Sequence, residues 1–317
     1  MKEEQFFKKF GESLDGLESI LETQTSEQYV NIFVLGLPRS GTTLLTQLLY
    51  DNTNLQCTNN LMARFWETPL VGTQLSKYTV IKSEFKNYRS NYGRTLEIDH
   101  PHEFSKFWHK LLRITEIDKY EPDKLSDSID WGKVRSKITN MNRILETGLV
   151  FKPMELIGFH LAKFVKLFKR SIIIFIERDP MDVALSILKA RKDNHCTDDC
   201  WWGSYPPKSI YEKIKKKSEM LKVAHQILYF KKFYEDKVRL VPSNQFLKTS
   251  YTSVCNNPYE LLKTIKVKAQ KLGCDLQITK KPNALSIFKK TIDESTMENL
   301  LKAFDEAEND SSIHVQL

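Results

Sequence analysis

The sequence predicts an α/β fold, a parallel β-sheet flanked by helices, built as a single domain with helical insertions. Three observations carry this. Ile32, Phe33, Val34 and Leu35 form a short apolar run ending at Gly36, as expected of a strand buried on both faces. Ile172, Ile173, Ile174, Phe175 and Ile176 form a second run of strand length, rich in β-branched residues. After each run the apolar residues change to helical spacing: Leu44, Leu45, Leu48 and Leu49 in one case, Val183, Ala184, Ile187 and Leu188 in the other. Strand, loop and helix repeated in that order build a parallel sheet.

Taken in chain order, residues 1–30 read as an amphipathic helix that packs on the domain, 31–317, through Phe6, Phe10, Leu14, Leu17 and Leu21. The segment is too charged for a signal peptide. The first strand leads into Gly36-Leu-Pro-Arg-Ser-Gly41-Thr-Thr43, which has the length and glycine placement of a phosphate-cradling loop. A nucleotide triphosphatase carries a lysine after the second glycine, where this chain has Thr42; the cation sits earlier, at Arg39. Free amides at a helix start, two hydroxyls and a guanidinium suit a compact anion held without a metal. The second strand ends at Asp179-Pro180, and Pro180 pre-sets φ for the next helix. Arg178 leaves that strand end and Ser186 lies on the helix, so a guanidinium fork and a hydroxyl can converge on one phosphate.

Two motifs in this order resemble a known family. PRSGTT resembles the 5′-phosphosulfate loop, and R-D-P-x-D-x-x-x-S the 3′-phosphate motif, of sulfotransferases that use 3′-phosphoadenosine 5′-phosphosulfate (PAPS). The likeness is greater to the bacterial-type and tyrosylprotein-like branches than to the animal cytosolic one. It implies the sulfotransferase fold, PAPS as donor, 3′-phosphoadenosine 5′-phosphate (PAP) as product, and no metal. It implies contacts from Arg39, Ser40, Gly41, Thr42 and Thr43 to the 5′-phosphosulfate, and from Arg178 and Ser186 to the 3′-phosphate. Leu149-Val-Phe-Lys152-Pro153 looks like the family's strand ending in a lysine that faces the transferred sulfonate, with a crossover helix over Leu156 to Lys169. The cytosolic enzymes carry a histidine base two residues after that lysine; this chain has Met154. Glu67, 28 residues after Arg39, resembles the carboxylate base of other branches. His102 and Glu103 are independent candidates for the same role. Phe246 to Tyr251 followed by Asn257-Pro258 resembles the family's strand, tyrosine and helix start, with Tyr251 near the adenine; Gly273 closes that helix.

The acceptor side is expected from Trp66, Phe104, Trp108 and Trp202, with the loop Trp201 to Tyr205 as a lid. Carboxylates at Glu67, Asp99 and Glu103 beside these aromatics favour a small cationic acceptor, a natural product bearing an amine or guanidinium and sulfated on a hydroxyl or an amine, with a saccharide as the other candidate. The rival readings are a P-loop kinase of a small metabolite and a nucleotide- or nucleic-acid-binding module. The net charge of +8 draws on lysines such as Lys213 to Lys217 and Lys163 to Arg170. They lie on helix patterns with an apolar opposite face, so they read as solvated faces rather than a nucleic-acid surface. No run approaches the roughly 18 apolar residues of a membrane span. Five cysteines and no secretion signal suggest reduced thiols in the cytoplasm. His195, Cys196 and Cys200 are too few for a zinc site and read as loop thiols. Ser295 to Glu298 reads as a capping box before a C-terminal helix on Leu300, Leu301 and Phe304.

Overall fold

The computed structural model describes residues 2–23, 26–82, 85, 88, 90–196, 201–287 and 293–310. Five strands are present: β1 (Asn31–Gly36), β2 (Gln56–Cys57), β3 (Leu149–Phe151), β4 (Ser171–Glu177) and β5 (Phe246–Ser250). They form one parallel sheet in the order β2-β3-β1-β4-β5. Every residue of β1 is buried, and β1 pairs with β4 from Asn31↔Ser171 to Gly36↔Ile176. Side chains alternate between two cores. Phe33, Leu35, Phe151, Ile173 and Phe175 face one, whereas Ile32, Val34, Val150, Ile172 and Ile174 face the other. That alternation, apolar on both sides, is why the strands read as continuous apolar runs.

Polar anchors set the strand starts. Asn31 and Asn142 exchange side-chain amide hydrogen bonds of 2.9 Å each way, and Asn31 Oδ1 also accepts from the Leu149 amide at 3.0 Å. A buried amide pair with its bonds made locks β1 to β3 and to the helix Trp131–Leu145. The lone connection between β3 and β4 passes over β1, which lies between them.

Several expected elements differ. The N-terminal segment is two helices, Glu3–Glu12 and Asp15–Leu21. Phe6, Phe10 and Leu17 are 46%, 40% and 53% exposed, while Phe10 still meets the Phe65 ring at 6.0 Å and Leu21 packs against the core. Phe7 packs on Phe65 as well, and the buried Glu18 carboxylate accepts from the Leu70 and Val71 amides at 2.9 and 3.0 Å. An acid at the start of the helix Pro69–Thr79 satisfies its orphan donors and opposes its dipole. Lys137, 2.8 Å away, pairs with the same carboxylate.

The crossover helix breaks at His160 into Glu155–Phe159 and Leu161–Leu167. The buried His160 ring is hydrogen-bonded to the Tyr120 hydroxyl, a contact a straight helix pattern does not anticipate. The C-terminal helix, Glu294–Asn309, is capped by Asp293, which accepts from the Thr296 amide at 2.8 Å, two residues before the expected Ser295. Its charge also opposes the helix dipole and makes the bond charge-assisted. Asn257 precedes Pro258 without a side-chain cap bond. The end of that helix is as read: Gly273 donates to Gln270 O and Cys274 to Ala269 O, at 2.9 and 3.0 Å, around φ +70° at Gly273. Cys57, Cys255 and Cys274 are free thiols, but Cys196 is disulfide-bonded. An odd cysteine count permits one bridge as readily as none, so counting alone did not decide the matter. Cys200 lies outside the described residues. No helix among the described residues is long and apolar enough to cross a membrane.

Candidate active site

The site lies beyond the carboxyl ends of β1, β3 and β4, where open parallel sheets form their ligand crevice. After β1 the chain turns through Arg39 (φ +69°) and Gly41 (φ +105°) before the helix Thr42–Asn52 begins. Only glycine suits position 41. Its backbone is left-handed, and a Cβ there would stand 2.8 Å from Tyr251 Cδ2. The Tyr251 ring therefore packs directly on the loop. Ser40 is buried beneath it, with an Oγ that has no hydrogen-bond partner among the described residues.

The two loop–helix motifs meet at Arg39. Arg39 Nε donates to Ser186 Oγ at 3.0 Å, and Arg178 Nη1 donates to the Arg39 carbonyl at 3.3 Å. The Arg178 guanidinium stacks 4.2 Å above the Tyr251 ring and pairs with Asp182 at 3.4 Å. Burial, then the neighbouring Arg178 charge, pushes the Arg39 pKa below its ordinary value. An anion arriving between the two guanidiniums relieves that crowding of like charge.

Lys152 occupies the end of β3 and is buried, at 3% exposure. Its Nζ donates to Thr43 Oγ1 at 2.9 Å and to Glu103 Oε1 at 2.6 Å. Lys152, Thr43, Glu103, Arg39 and Met154 line a cavity of about 300 Å³, closed on one side by Trp201 to Tyr205. Met154 has φ +54° and ψ −145°, a conformation rare for a side chain with a Cβ, at the cavity wall.

One part of the site was not anticipated. Asn91 and Arg94 exchange backbone hydrogen bonds of 2.8 and 3.0 Å around Tyr92 (φ +52°) and Gly93 (φ +88°). Two consecutive positive φ values make a tight reverse turn of the I′ kind. The turn sits over Lys152: a Cβ on Gly93 would lie 3.5 Å from Lys152 Nζ and from Thr43 Oγ1. Tyr92 lies under the Arg39 guanidinium, 5.2 Å from it, meets Trp202 edge-on, and its hydroxyl bonds Asp193. The only signal for it was the Gly93 after Asn91-Tyr92, without flanking strand patterns.

Most of the remaining candidates lie elsewhere. Glu67 is ion-paired with Lys110 and packs beside Gly11, away from the cavity lining. Asp99 is buried and interacts with Tyr50. The three carboxylates expected around the acceptor therefore do not converge; Glu103 alone reaches the cavity. His102 and Glu103 point to opposite sides of their segment. The His102 ring faces a second cavity of about 680 Å³, with Trp66 and Phe104. Its Nδ1 accepts from the Phe104 amide at 2.8 Å, and burial lowers its pKa. Phe104 stacks on Phe107, and Trp108 packs on Phe107 and Phe151 in the core, both fully buried. Trp66 stands 5.9 Å from both Lys106 and Lys110. Trp202 does line the cavity. Among the described residues no group of histidine, cysteine and carboxylate side chains could hold a metal ion.

No curated protein matches the chain significantly. Solved structures similar to it include the sulfotransferase STF9 of Mycobacterium avium, 13% identical over 81% of this chain and 67% of that one, with a TM-score of 0.48. The sulfotransferase STF1 of Mycobacterium tuberculosis H37Rv is 15% identical over 98% and 82%, TM-score 0.48. A sulfotransferase of Alicyclobacillus acidocaldarius is 13% identical over 92% and 98%, TM-score 0.42. A profile of the sulfotransferase family matches residues 31–267, spanning both phosphate motifs, the Lys152 strand and Tyr251, and the chain belongs to that family.

Proposed function

We propose that the protein transfers the sulfonate of PAPS to a hydroxyl of a small-molecule acceptor by in-line displacement. The observation that carries this reading is the Lys152 ammonium, buried and bonded to both the phosphate-loop hydroxyl Thr43 and the Glu103 carboxylate. The loop fits the nucleotide's anions. Ser40 Oγ is an unused buried donor, Thr42 opens a helix with free amides, and Arg39 and Arg178 bring two guanidiniums together. PAPS supplies, when bound, a sulfonate already activated on a phosphate leaving group.

Arg39, Thr42 and Thr43 would hold the 5′ end, Arg178 and Ser186 the 3′-phosphate, and Tyr251 the adenine. Lys152 neutralises charge as it develops on the oxygen that leaves, which needs no metal. Glu103 takes the acceptor proton while the acceptor oxygen bonds to sulfur and the old sulfur–oxygen electron pair stays with PAP. Its place in the cavity lining supports it over Glu67 and His102, which face other surroundings. Holding both partners in line is the larger part of the catalysis.

A thermal shift tests the donor. PAP at a hundred times its dissociation constant should add about 2.7 kcal/mol of stability. Magnesium-ATP should add none, since Thr42 stands where a kinase carries lysine. Stabilisation by magnesium-ATP and not by PAP would reverse the reading in favour of a metabolite kinase.

A further inference from the structure

We infer that the acceptor carries an anionic group in addition to the hydroxyl it presents, and that Arg94 is the specificity-determining residue that binds this group. The inference rests on the sulfuryl-transfer reading above.

The argument is one of charge. Among the described residues Glu103 is the only carboxylate lining the cavity, and Lys152 already neutralises it at 2.6 Å. A cationic acceptor would find no unmatched carboxylate among the described lining residues, and would meet Arg39, Arg94 and Lys152. Each of these cations but one has a task at the donor end. Arg39 belongs to the phosphate loop and holds Ser186; Lys152 holds Thr43. Arg94 belongs to neither phosphate motif. Its side chain is exposed at the cavity edge and makes no hydrogen bond or ion pair among the described residues.

Its position is built. Two backbone bonds hold the turn from Asn91 to Arg94, and Tyr92 ties the turn to Arg39, Asp193 and Trp202. Gly93 brings the turn's backbone against the Lys152–Thr43–Glu103 cluster, so Arg94 leaves the backbone one residue from the reacting centre. An anionic acceptor meeting a polyanionic donor needs a further cation to offset their repulsion, and a guanidinium fork suits a carboxylate or sulfonate.

The opposite wall is also preformed. Gln226 Nε2 donates to the Trp202 and Ser204 carbonyls at 2.9 and 2.8 Å, and the buried Glu155 carboxylate accepts from the Tyr205 amide at 2.9 Å. The rings of Trp202 and Tyr92 meet there at 83°. A planar acceptor body can lie on these faces while its anion reaches Arg94.

The test uses the full chain with PAPS and three phenols of matched shape: 4-hydroxyphenylacetate, 4-hydroxybenzyl alcohol and tyramine. The expected kcat/KM for 4-hydroxyphenylacetate exceeds that for tyramine at least about tenfold, the effect of one charge-assisted hydrogen bond. Arg94→Gln should erase that preference through KM, leaving kcat with the neutral phenol and PAP affinity within about twofold, and Arg94→Lys should restore part of it. Tyramine turned over as well as or better than the anion overturns the inference. So does turnover of none of the three by protein that binds PAP. A loss of PAP affinity in Arg94→Gln overturns it as well, by assigning Arg94 to the donor. Wild-type protein that binds no PAP would instead sink the donor reading on which the inference stands.

Discussion

Lys152 Nζ lies 2.6 Å from Glu103 Oε1 and 2.9 Å from Thr43 Oγ1, so one buried ammonium joins the end of β3, the cavity wall and the phosphate loop. If Glu103 is the base, Glu103→Gln should lower single-turnover rates by about 10² to 10⁴, the range of a positioned proton acceptor. PAP affinity should stay within a few-fold. Glu67→Gln, which loses only the charge paired with Lys110, should keep near-normal turnover. The reverse order of the two variants would transfer the role to Glu67. Lys152→Ala should lower the rate with little change in PAP affinity, because its charge counts most in the transition state.

A second prediction concerns the junction of the two motifs. Arg39 Nε and Ser186 Oγ are 3.0 Å apart, and both are assigned to phosphates of the same nucleotide. Arg39→Ala and Ser186→Ala should each weaken PAP binding, Arg39→Ala more, since it removes charge-assisted bonds of roughly 1.5–3 kcal/mol. The double variant should lose less than the sum of the two, because the residues contact each other. Calorimetry of the four proteins reads this directly. Strict additivity would mean that Arg39 and Ser186 act independently.

Gly41 offers a backbone test. Gly41→Ala must adopt φ near +105° and put a methyl 2.8 Å from the Tyr251 ring. Strain of about 1–3 kcal/mol is expected, together with displacement of Tyr251 from the loop. Urea unfolding should show the lost stability and calorimetry a lost PAP affinity. A variant with both unchanged would show that the loop can relax without Tyr251.

The strands and the two strand–loop–helix segments were legible because they rest on local patterns. β1 and β4 are apolar on both faces, and the glycines, Arg39 and Pro180 each mark a local backbone requirement. The acceptor side was not legible in the same way. Glu67 and Glu103 look alike along the chain, and only the fold, with Asn59 bridged to Pro101, brings one to Lys152. The Asn91–Arg94 turn carries no periodicity, so nothing in the pattern marked it as a wall of the cavity. The N-terminal helices were legible only in part. Phe10 and Leu21 meet the domain as the apolar pattern suggests, but Phe7 and the polar Glu18, outside that pattern, anchor it too.

The last prediction is a pH dependence of stability centred on His160. Burial holds this imidazole's pKa down at about 4, assisted by the Lys237 and Lys163 charges and opposed by Asp123. It is 6% exposed, bonded to the Tyr120 hydroxyl and packed against the Trp131 ring. The unfolded chain binds a proton at this position below about pH 6.5, whereas the folded chain does so only near pH 4. Stability from neutral His160 is therefore fully present above pH 6.5 and is lost as pH falls toward 4, by about 3 kcal/mol in all. His109 and His102 shift in the same direction, so wild type alone does not isolate the effect. His160→Gln does: the amide keeps an acceptor for Tyr120 but cannot titrate. Urea unfolding at pH 7.5 and 4.5 should show wild type losing more stability than the variant, by most of that 3 kcal/mol, even though the variant starts lower at pH 7.5. Equal losses in the two proteins would mean that His160 takes up its proton without unfolding.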